Sequence, residues 1–485
     1  VAWVIVSVRP MPVAIQPASN ATAARGAWWP AVAGAFLAFV LLKLGNPVLL
    51  DHVAPPPKSP GEFLFETWPA TWGYVVLAGI ALLGALKWRR PVGVPWWAFA
   101  LPAGWLAWQF LAATTTVEPA LTRVVLPQFT ATCVCFAIGL SVGGSPSARR
   151  VWLGLLAGLL VMLGAGFRQQ YGGLAANREF FEQNEKNGWK DVPTDHLREL
   201  EVSRLLVRKP DGTLTTNPDL LPRLAKGRIF GTFGYANALA GAVLLLLPGA
   251  LAAAWAVGER LQNVTRGVLV GLVAYMGLAC LYWSGSKAGW LIALVVGGVA
   301  LLHLPLPKSL KIGLVATVLM GGLAGFAWKY QSYFAGGARS ANARLDYWVV
   351  AWQTACDKPL LGSGPGTFYA VYRQAKRPEA EMTRLAHNDY LQQASDSGFI
   401  GFAAFGGFVW ASLVMLWRRV REEWSLLAVW LGLLGWALQA FVEFGLYIPA
   451  LAWSAFFLFG WLWALSAEER REFLRGDTDS IRANS

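Results

Sequence analysis

The chain has 485 residues, of which 55% are hydrophobic and only 14% are charged. Soluble domains carry about a quarter of their residues as charges, so this composition excludes an ordinary water-soluble fold. The 41 Lys and Arg outnumber the 28 Asp and Glu, for a net charge of +13, which suits either nucleic acid or a membrane protein with basic inner loops.

The chain opens with Val and an apolar run, residues 1–8. That run is too short for a signal-peptide core and no basic residue precedes it, so no cleavage is expected. From residue 28 onward, apolar stretches approach the ~20 residues needed to cross a bilayer. The expected spans number about twelve: 28–50, 68–87, 94–113, 122–143, 150–167, 233–257, 266–283, 287–303, 310–328, 398–417, 425–446 and 449–465. They are too long and continuous for the alternating strands of a closed barrel, so the expected fold class is all-α, a polytopic transmembrane helical bundle. Trp28, Trp29, Trp68, Trp88, Trp96 and Trp97 cluster at span ends, as an interfacial belt does. The four Cys are too few for a disulfide framework and are read as structural.

With the N-terminus placed in the cytoplasm, the inner segments hold Arg9, Arg25, Lys87, Arg89, Arg90, Arg149, Arg150, Arg260, Arg266, Lys308, Lys311, Arg418, Arg419, Arg421 and a basic tail from Arg470. That is about eighteen cations inside against about three in short outer loops, Lys58, Arg123 and Lys287. Topology therefore accounts for most of the basic excess without nucleic acid, and both termini are expected in the cytoplasm. The resulting division is 1–27, cytoplasmic tail; 28–167, N-terminal spans; 168–228, outer loop; 229–328, further spans; 329–397, second outer loop; 398–466, C-terminal spans; 467–485, cytoplasmic tail. The first outer loop holds an amphipathic stretch at 194–206 and a Pro-Asp-Gly turn at 210–212 that reads as a hairpin. Loops this long are usually functional.

Four polar features fall on the outer side. In "KGRIFGTFGYANALAG" (226–241), Arg228 sits at a span end and Asn237 in its first turns. A snorkelling cation and a helix–helix hydrogen bond are the plain readings of the two. In "YWSGSKAGW" (282–290), a very short turn keeps Ser286 and Lys287 at the bilayer surface, where a cation is costly and needs a partner or a task. Its glycine spacing does not make a phosphate-binding Walker loop. In "SANARLDYWVVAWQTACDKPLLGSGPGTF" (340–368), Arg344, Trp348 and Trp352 share one helical face, and the Gly-rich stretch after them reads as a structural turn. In "RLAHNDYLQQASDSGFIG" (384–401), His387 precedes Asn388, Tyr390 and a short polar helix that leads into a span. The other three His (His52, His196, His303) are scattered, so zinc spacing is absent. A lone His with an ordinary pKa near neutrality suits a general base.

Taken in order, "GRIFGTFGYANALAG", "SGSKAG", "RLDYW", "KPLLGSGPGTF", "AHNDYLQQASDSGFIG" and "FVEFGLYIPALAW" (441–453) resemble the motifs of the O-antigen ligase and polymerase superfamily, over roughly residues 228–465. The resemblance implies a fold related to the C-type polytopic glycosyltransferases. It implies transfer of a glycan from undecaprenyl diphosphate to an acceptor hydroxyl at the periplasmic face of the bacterial inner membrane, with no metal or other cofactor. The acceptor is lipid A core in ligases, another glycan in polymerases and a protein hydroxyl in O-oligosaccharyltransferases; the ligase reading is preferred. Residue by residue, the resemblance implies that His387 takes or positions the acceptor proton. Arg344, Lys287 and Arg228 would bind the donor diphosphate, supported by Asn388, Asn237, Ser286 and Tyr390. Lys287 departs from the pattern, since many members carry Arg there, and Lys lacks the bidentate fork. The competing classes are a transporter, which would show repeat symmetry or paired broken helices, and a non-enzymatic scaffold, which would not need a His with several cations.

Overall fold

The computed structural model describes residues 28–53, 56–88, 91–145, 147–203, 205–218 and 220–483. The expected tail 1–27 with Arg9 and Arg25, and the inner cations Arg89 and Arg90, lie outside the described residues, as do the side chains of His52 and of the basic tail from Arg470. In chain order the helices are α1 (Trp28–Lys43), α2 (Pro60–Phe65), α3 (Ala70–Leu86), α4 (Trp97–Ala113), α5 (Pro119–Gly143), α6 (Val151–Arg168), α7 (Leu174–Lys186), α8 (Thr194–Val202) and α9 (Leu220–Ala225). They continue with α10 (Ala236–Val257), α11 (Asn263–Trp283), α12 (Lys287–Leu302), α13 (Lys308–Ala335), α14 (Arg339–Asp357), α15 (Phe368–Ala375), α16 (Asp389–Val420), α17 (Trp424–Gln439) and α18 (Pro449–Ala483).

The chain is an all-α polytopic protein. Seven helical segments among the described residues are long and apolar enough to cross a membrane, and α1, α3, α12 and α17 are shorter apolar helices. Each expected span falls on a helix, but several boundaries move for physical reasons. The span expected over 28–50 stops at Lys43, before Gly45-Asn46-Pro47, and Lys43 Nζ donates to the carbonyls of Phe63, Leu64 and Glu66. The one expected over 310–328 runs on to Ala335. The one expected over 425–446 ends at Gln439, and residues 440–448 unwind into a loop that carries Glu443. The start expected at 398 is a real break: α16 is interrupted at Ser397 and Gly398, where φ is −134° and +70°.

The centre of the bundle is α18, which packs along α5. Gly139 and Gly143 lie one turn apart on α5, and a Cβ on Gly139 would stand 2.0 Å from the Phe457 carbonyl. Small residues at this spacing let two backbones approach, and dispersion replaces the hydrophobic drive that lipid cannot supply.

Both long segments are ordered subdomains. The first contains α7 to α9 and a hairpin pairing Leu206 with Thr216 around the expected 210–212 turn, closed over Phe181, Trp189, Val192, Leu200 and Leu206. The second packs α14 and α15 around Tyr347, Val350, Phe368 and Tyr372, with Ala386 between them. Its Gly-rich turn is structural: Gly362 and Gly364 have φ of +63° and +110°. Ser363 N and Gly364 N donate to the carbonyls of Ser395 and Asp396 at the end of the polar half of α16.

Gly398 tests that junction. Its φ/ψ of +70°/−178° suits only glycine, and a Cβ would lie 2.2 Å from the Leu360 carbonyl oxygen. Gly398→Ala is expected to destabilise the protein by about 3 kcal/mol. Gly407→Ala, on the same helix with open space around it, is expected to be neutral or stabilising. Thermal unfolding of the two variants in one detergent checks this.

Candidate functional site

The loop after α17 delivers Glu443 into the interior, with its side chain only 4% exposed. An isolated buried carboxylate is unaffordable, so its partners define the site. Oε1 accepts from Arg344 Nη2 and, at 2.6 Å, from Asn237 Nδ2. Oε2 accepts from the Tyr235 hydroxyl and lies 3.3 Å from His387 Nδ1. Asn237 in turn accepts from Arg228 Nη2 at 2.6 Å, and Arg228 Nε donates to the Ser284 carbonyl at 2.7 Å. Segments far apart in sequence thus meet on one carboxylate.

Local sequence explains each placement. Tyr235 is the extended residue before α10, so Asn237 falls at its start and faces the loop. The Ser284-Gly285-Ser286 turn needs its glycine twice: φ is +61°, and a Cβ would press on Arg228 Nε at 3.1 Å. Ser286 caps α12 by accepting from Gly289 N, which occupies its hydroxyl in the fold. Lys287, the next residue, lies 3.9 Å from the centroid of the Tyr333 ring and 5.0 Å from that of Tyr330, both on α13. A cation over aromatic faces is retained at a low-dielectric surface without a carboxylate. Arg344 projects from α14, and Trp348 on the same face donates its indole N–H to the Ala386 carbonyl. Trp352, the third member of the expected stripe, is half exposed and meets Phe399 instead.

His387 has a φ of +52°, a left-handed conformation uncommon for a non-glycine residue. The residues after it hold it there. Asn388 caps α16 by accepting from Leu391 N. Asp389 N donates to the Ala440 carbonyl at 2.7 Å, and Asp389 Oδ2 accepts from Leu446 N, which ties the His387 loop to the Glu443 loop. Tyr390 donates to the Ala437 carbonyl and packs on Phe441. Asn388, Ser286 and Tyr390 therefore hold the frame, while His387, Arg344, Arg228 and Asn237 form the polar network. Lys287 stands beside it.

The network fixes protonation. Tyr235, Asn237 and Arg344 all donate to Glu443, and that shell fits an ionised carboxylate. Burial pushes the Glu443 carboxyl well above the ordinary carboxylate range and Arg228 pulls it back; the three donors and the direct Arg344 pair are what favour the ionised form. A carboxylate only accepts, so His387 Nδ1 carries the ring proton and Nε2 presents its lone pair. Burial and then the Arg344 charge pull the His387 imidazole below its ordinary value, while an ionised Glu443 beside Nδ1 works the other way. The Glu443 charge is already shared with two guanidinium groups, which leaves little of it to favour an imidazolium. The ring stacks near Tyr347 and stands edge-on to Phe444 at 4.7 Å. Three cations against one carboxylate leave the cluster with a surplus of positive charge.

Glu443 and Tyr235 were not singled out in the sequence, although both lie inside quoted motifs. The signal for Glu443 was present: it is the one acidic residue in the apolar run 424–466, and an ionisable residue in such a run is functional by default.

Residues 271–406 match the O-antigen ligase family model. The match takes in Lys287, Arg344 and His387 and stops short of Arg228, Asn237 and Glu443. No curated protein matches the chain.

Glu443→Gln keeps the shape but removes the charge that orients His387 and pairs Arg344. It is expected to lower kcat by about 10²-fold or more while the protein stays folded, because an orienting carboxylate sets the tautomer of its histidine. Turnover alongside thermal unfolding of the same preparation measures both.

Proposed function

We propose that this chain, which belongs to the O-antigen ligase superfamily through residues 271–406 and so is a membrane glycan transferase of the ligase or polymerase type, moves a glycan from undecaprenyl diphosphate to an acceptor hydroxyl at the periplasmic face of the bacterial inner membrane. The preferred acceptor is lipid A core, which makes it an O-antigen ligase; polymerase and protein O-oligosaccharyltransferase activities are the alternatives within the superfamily. The observation that carries the reading is His387 Nδ1 against Glu443, within a network that also holds Arg344 and Arg228.

In the proposed reaction the acceptor oxygen attacks the anomeric carbon and its proton passes to His387 Nε2. The bond from that carbon to the phosphate oxygen breaks, and the diphosphate leaves with the electron pair. One displacement inverts the anomeric centre. Negative charge develops on the leaving oxygen, and fixed cations aimed at it lower the barrier most effectively in a site of low dielectric. Arg344, Arg228 and Lys287 supply that charge, so the proposed step requires no divalent ion. Arg344 Nε is buried without a hydrogen-bond partner, a donor left unused by the fold. His387, held neutral, has its lone pair free at any ordinary pH. When the anionic donor offsets Arg344, the ring becomes a stronger base, nearer the match that proton transfer prefers.

In this reading residues 168–228 and 329–397 lie in the periplasm, 229–328 carry the donor motifs between them, and the tails 1–27 and 467–485 are cytoplasmic. The count of basic residues supports that orientation. The spans 28–167 and 398–466 complete a C-type-like scaffold.

His387→Ala is expected to reduce kcat by about 10²–10⁴-fold with the fold intact; near-normal turnover would remove the base assignment. Arg344→Ala is expected to impair donor use by about 10²-fold. Lys287→Arg is expected to be tolerated, since Arg also stacks on tyrosine faces. Unchanged rates in Lys287→Ala would make that turn purely structural.

The pH profile is a separate check. A lowered His pKa means the neutral, base-competent ring persists as pH falls and is lost only near the lowered value. The kcat/KM profile, which reports the free enzyme, is expected to lack an acid limb at the ordinary His value of about 6.5. A limb centred there, abolished in His387→Ala, would contradict the buried neutral ring.

A further inference from the structure

A second polar and apolar constellation lies away from the Glu443 network, and neither the family match nor the proposed mechanism assigns it. A cavity of about 760 Å³ opens between Val48, Leu49, Asp51 and Pro56, the first turns of α3 and α5, and α8 of the first long loop, with Arg384 on its wall. A second cavity, of about 370 Å³, runs between α3, α4 and α5 and is lined almost entirely by apolar side chains. The two share Tyr74 and Pro127 as wall residues, so they adjoin there.

The chemistry changes along this path. The mouth holds two arginines. Arg123 is exposed and makes no ion pair among the described residues. Arg384 donates to the Leu49 carbonyl and lies 5.4 Å from the Tyr369 ring. The carboxylate there, Asp51, is turned to the start of α3, where it accepts from Ala70 N at 2.7 Å. At the junction of mouth and slot, the Tyr74 hydroxyl is buried with no hydrogen-bond partner. A buried hydroxyl left unpaired is costly. It stands on the wall common to both cavities, where an ester or amide carbonyl of a bound lipid could accept from it. Positive mouth, polar junction and apolar slot match an anionic head, a carbonyl and an acyl chain in that order.

Position says which substrate this is. Arg384 is three residues before His387, and three residues of extended chain span at most about 11 Å. No residue lining either cavity belongs to the Arg228, Lys287, Arg344 set. We infer that the Arg123–Arg384 mouth and the slot beneath Tyr74 bind one phosphate-bearing acyl lipid, the acceptor, and deliver its headgroup to His387 from a surface separate from that of the donor cations. The inference rests on the glycan-transfer reading and deepens it: an acyl-lipid acceptor, as opposed to one carried on a polyprenyl chain, selects ligation over polymerisation. It also gives the first long loop a task, because Val202 of α8 closes the mouth and the Lys58–Glu199 pair anchors that helix to the 56–65 segment.

Lipid retention by the full chain in native mass spectrometry tests this without turnover. The probes are lipid A, dephosphorylated lipid A, phosphatidylglycerol and undecaprenyl diphosphate. Ala78→Trp fills the slot from an exposed position, and Arg123→Glu reverses the charge at the mouth. Each is expected to lower lipid A retention about tenfold, a difference of one decade in Kd, with undecaprenyl diphosphate unaffected. Dephosphorylated lipid A and phosphatidylglycerol are expected to be held weakly by the wild type. Unchanged lipid A retention in both variants, or phosphatidylglycerol displacing lipid A at equal concentration, overturns the inference. Arg344→Ala reports separately on the donor reading: it is expected to lose undecaprenyl diphosphate and keep lipid A. Failure there would overturn the donor site and the acceptor assignment with it, whereas failure of the slot variants alone leaves the donor reading standing.

Discussion

The site depends on one buried carboxylate. Glu443 reaches Arg344 and His387 directly and Arg228 through Asn237. A charge at that depth persists only when paired and hydrogen-bonded, and breaking such a pair is far more disruptive than never having built it. Several local choices follow from the constraint. Helix α17 stops at Gln439, and Glu443 sits in the loop beyond it within reach of four partners. Residue 285 is glycine because the Arg228 side chain lies against it. His387 accepts a left-handed φ because the loop on each side is pinned, by Ala386 N to Gln392 and by Asp389 N to Ala440.

The polar half of α16 serves the same end. Residues 389–396 precede an apolar span, yet Asp389, Gln392, Gln393, Ser395 and Asp396 are all fully buried. They are polar because their surroundings are. Gln393 accepts from Trp105 and Gln109 of α4 and donates to Tyr447. Asp396 accepts from Tyr447 and from Gly366 N. A buried hydrogen-bonded network specifies one geometry more sharply than apolar packing does, even though Asp389 Oδ1, Ser395 Oγ and Asp396 Oδ1 have no partner among the described residues. Here it fixes the half-helix whose N-terminus holds His387.

The helical, many-span character was legible because hydropathy over ~20 residues is a strong signal. The break at 398 was legible too, since polarity changes abruptly at Ser397-Gly398-Phe399. The end of α17 was not, because Glu443 alone interrupts an apolar run and window averages hide single charges. Arg344 and His387 could be picked out as rare polar groups next to spans, but their meeting on Glu443 is a long-range contact that no local pattern encodes. The plain readings also had a share of the truth. Ser286 and Asn388 are helix caps, the Gly-Ser-Gly-Pro-Gly stretch is a turn, and Asn237 does bond to another segment. The sequence could not distinguish a cap from a ligand, because both tasks select short polar side chains next to a helix start.

A displacement at a sugar carbon sets one further requirement: nucleophile and leaving group must lie on opposite faces of the reacting atom. The arrangement of side chains is suited to that. Arg228, Lys287 and Arg344 come from the segment before α10, from α12 and from α14, whereas the Arg123–Arg384 mouth is built from α3, α5, α8, residues 48–51 and Pro56. The segment 384–388 belongs to both regions, with Arg384 in the mouth and His387 on the Glu443 network. In the proposed transfer, a base on that segment would take a proton from a hydroxyl arriving on one side while the cations would hold a diphosphate on the other. Glu443, by keeping Nδ1 protonated, leaves Nε2 as the only ring nitrogen able to accept. The choice of tautomer, made by one buried carboxylate, is therefore also what would decide from which side of the ring the proposed transfer draws its proton.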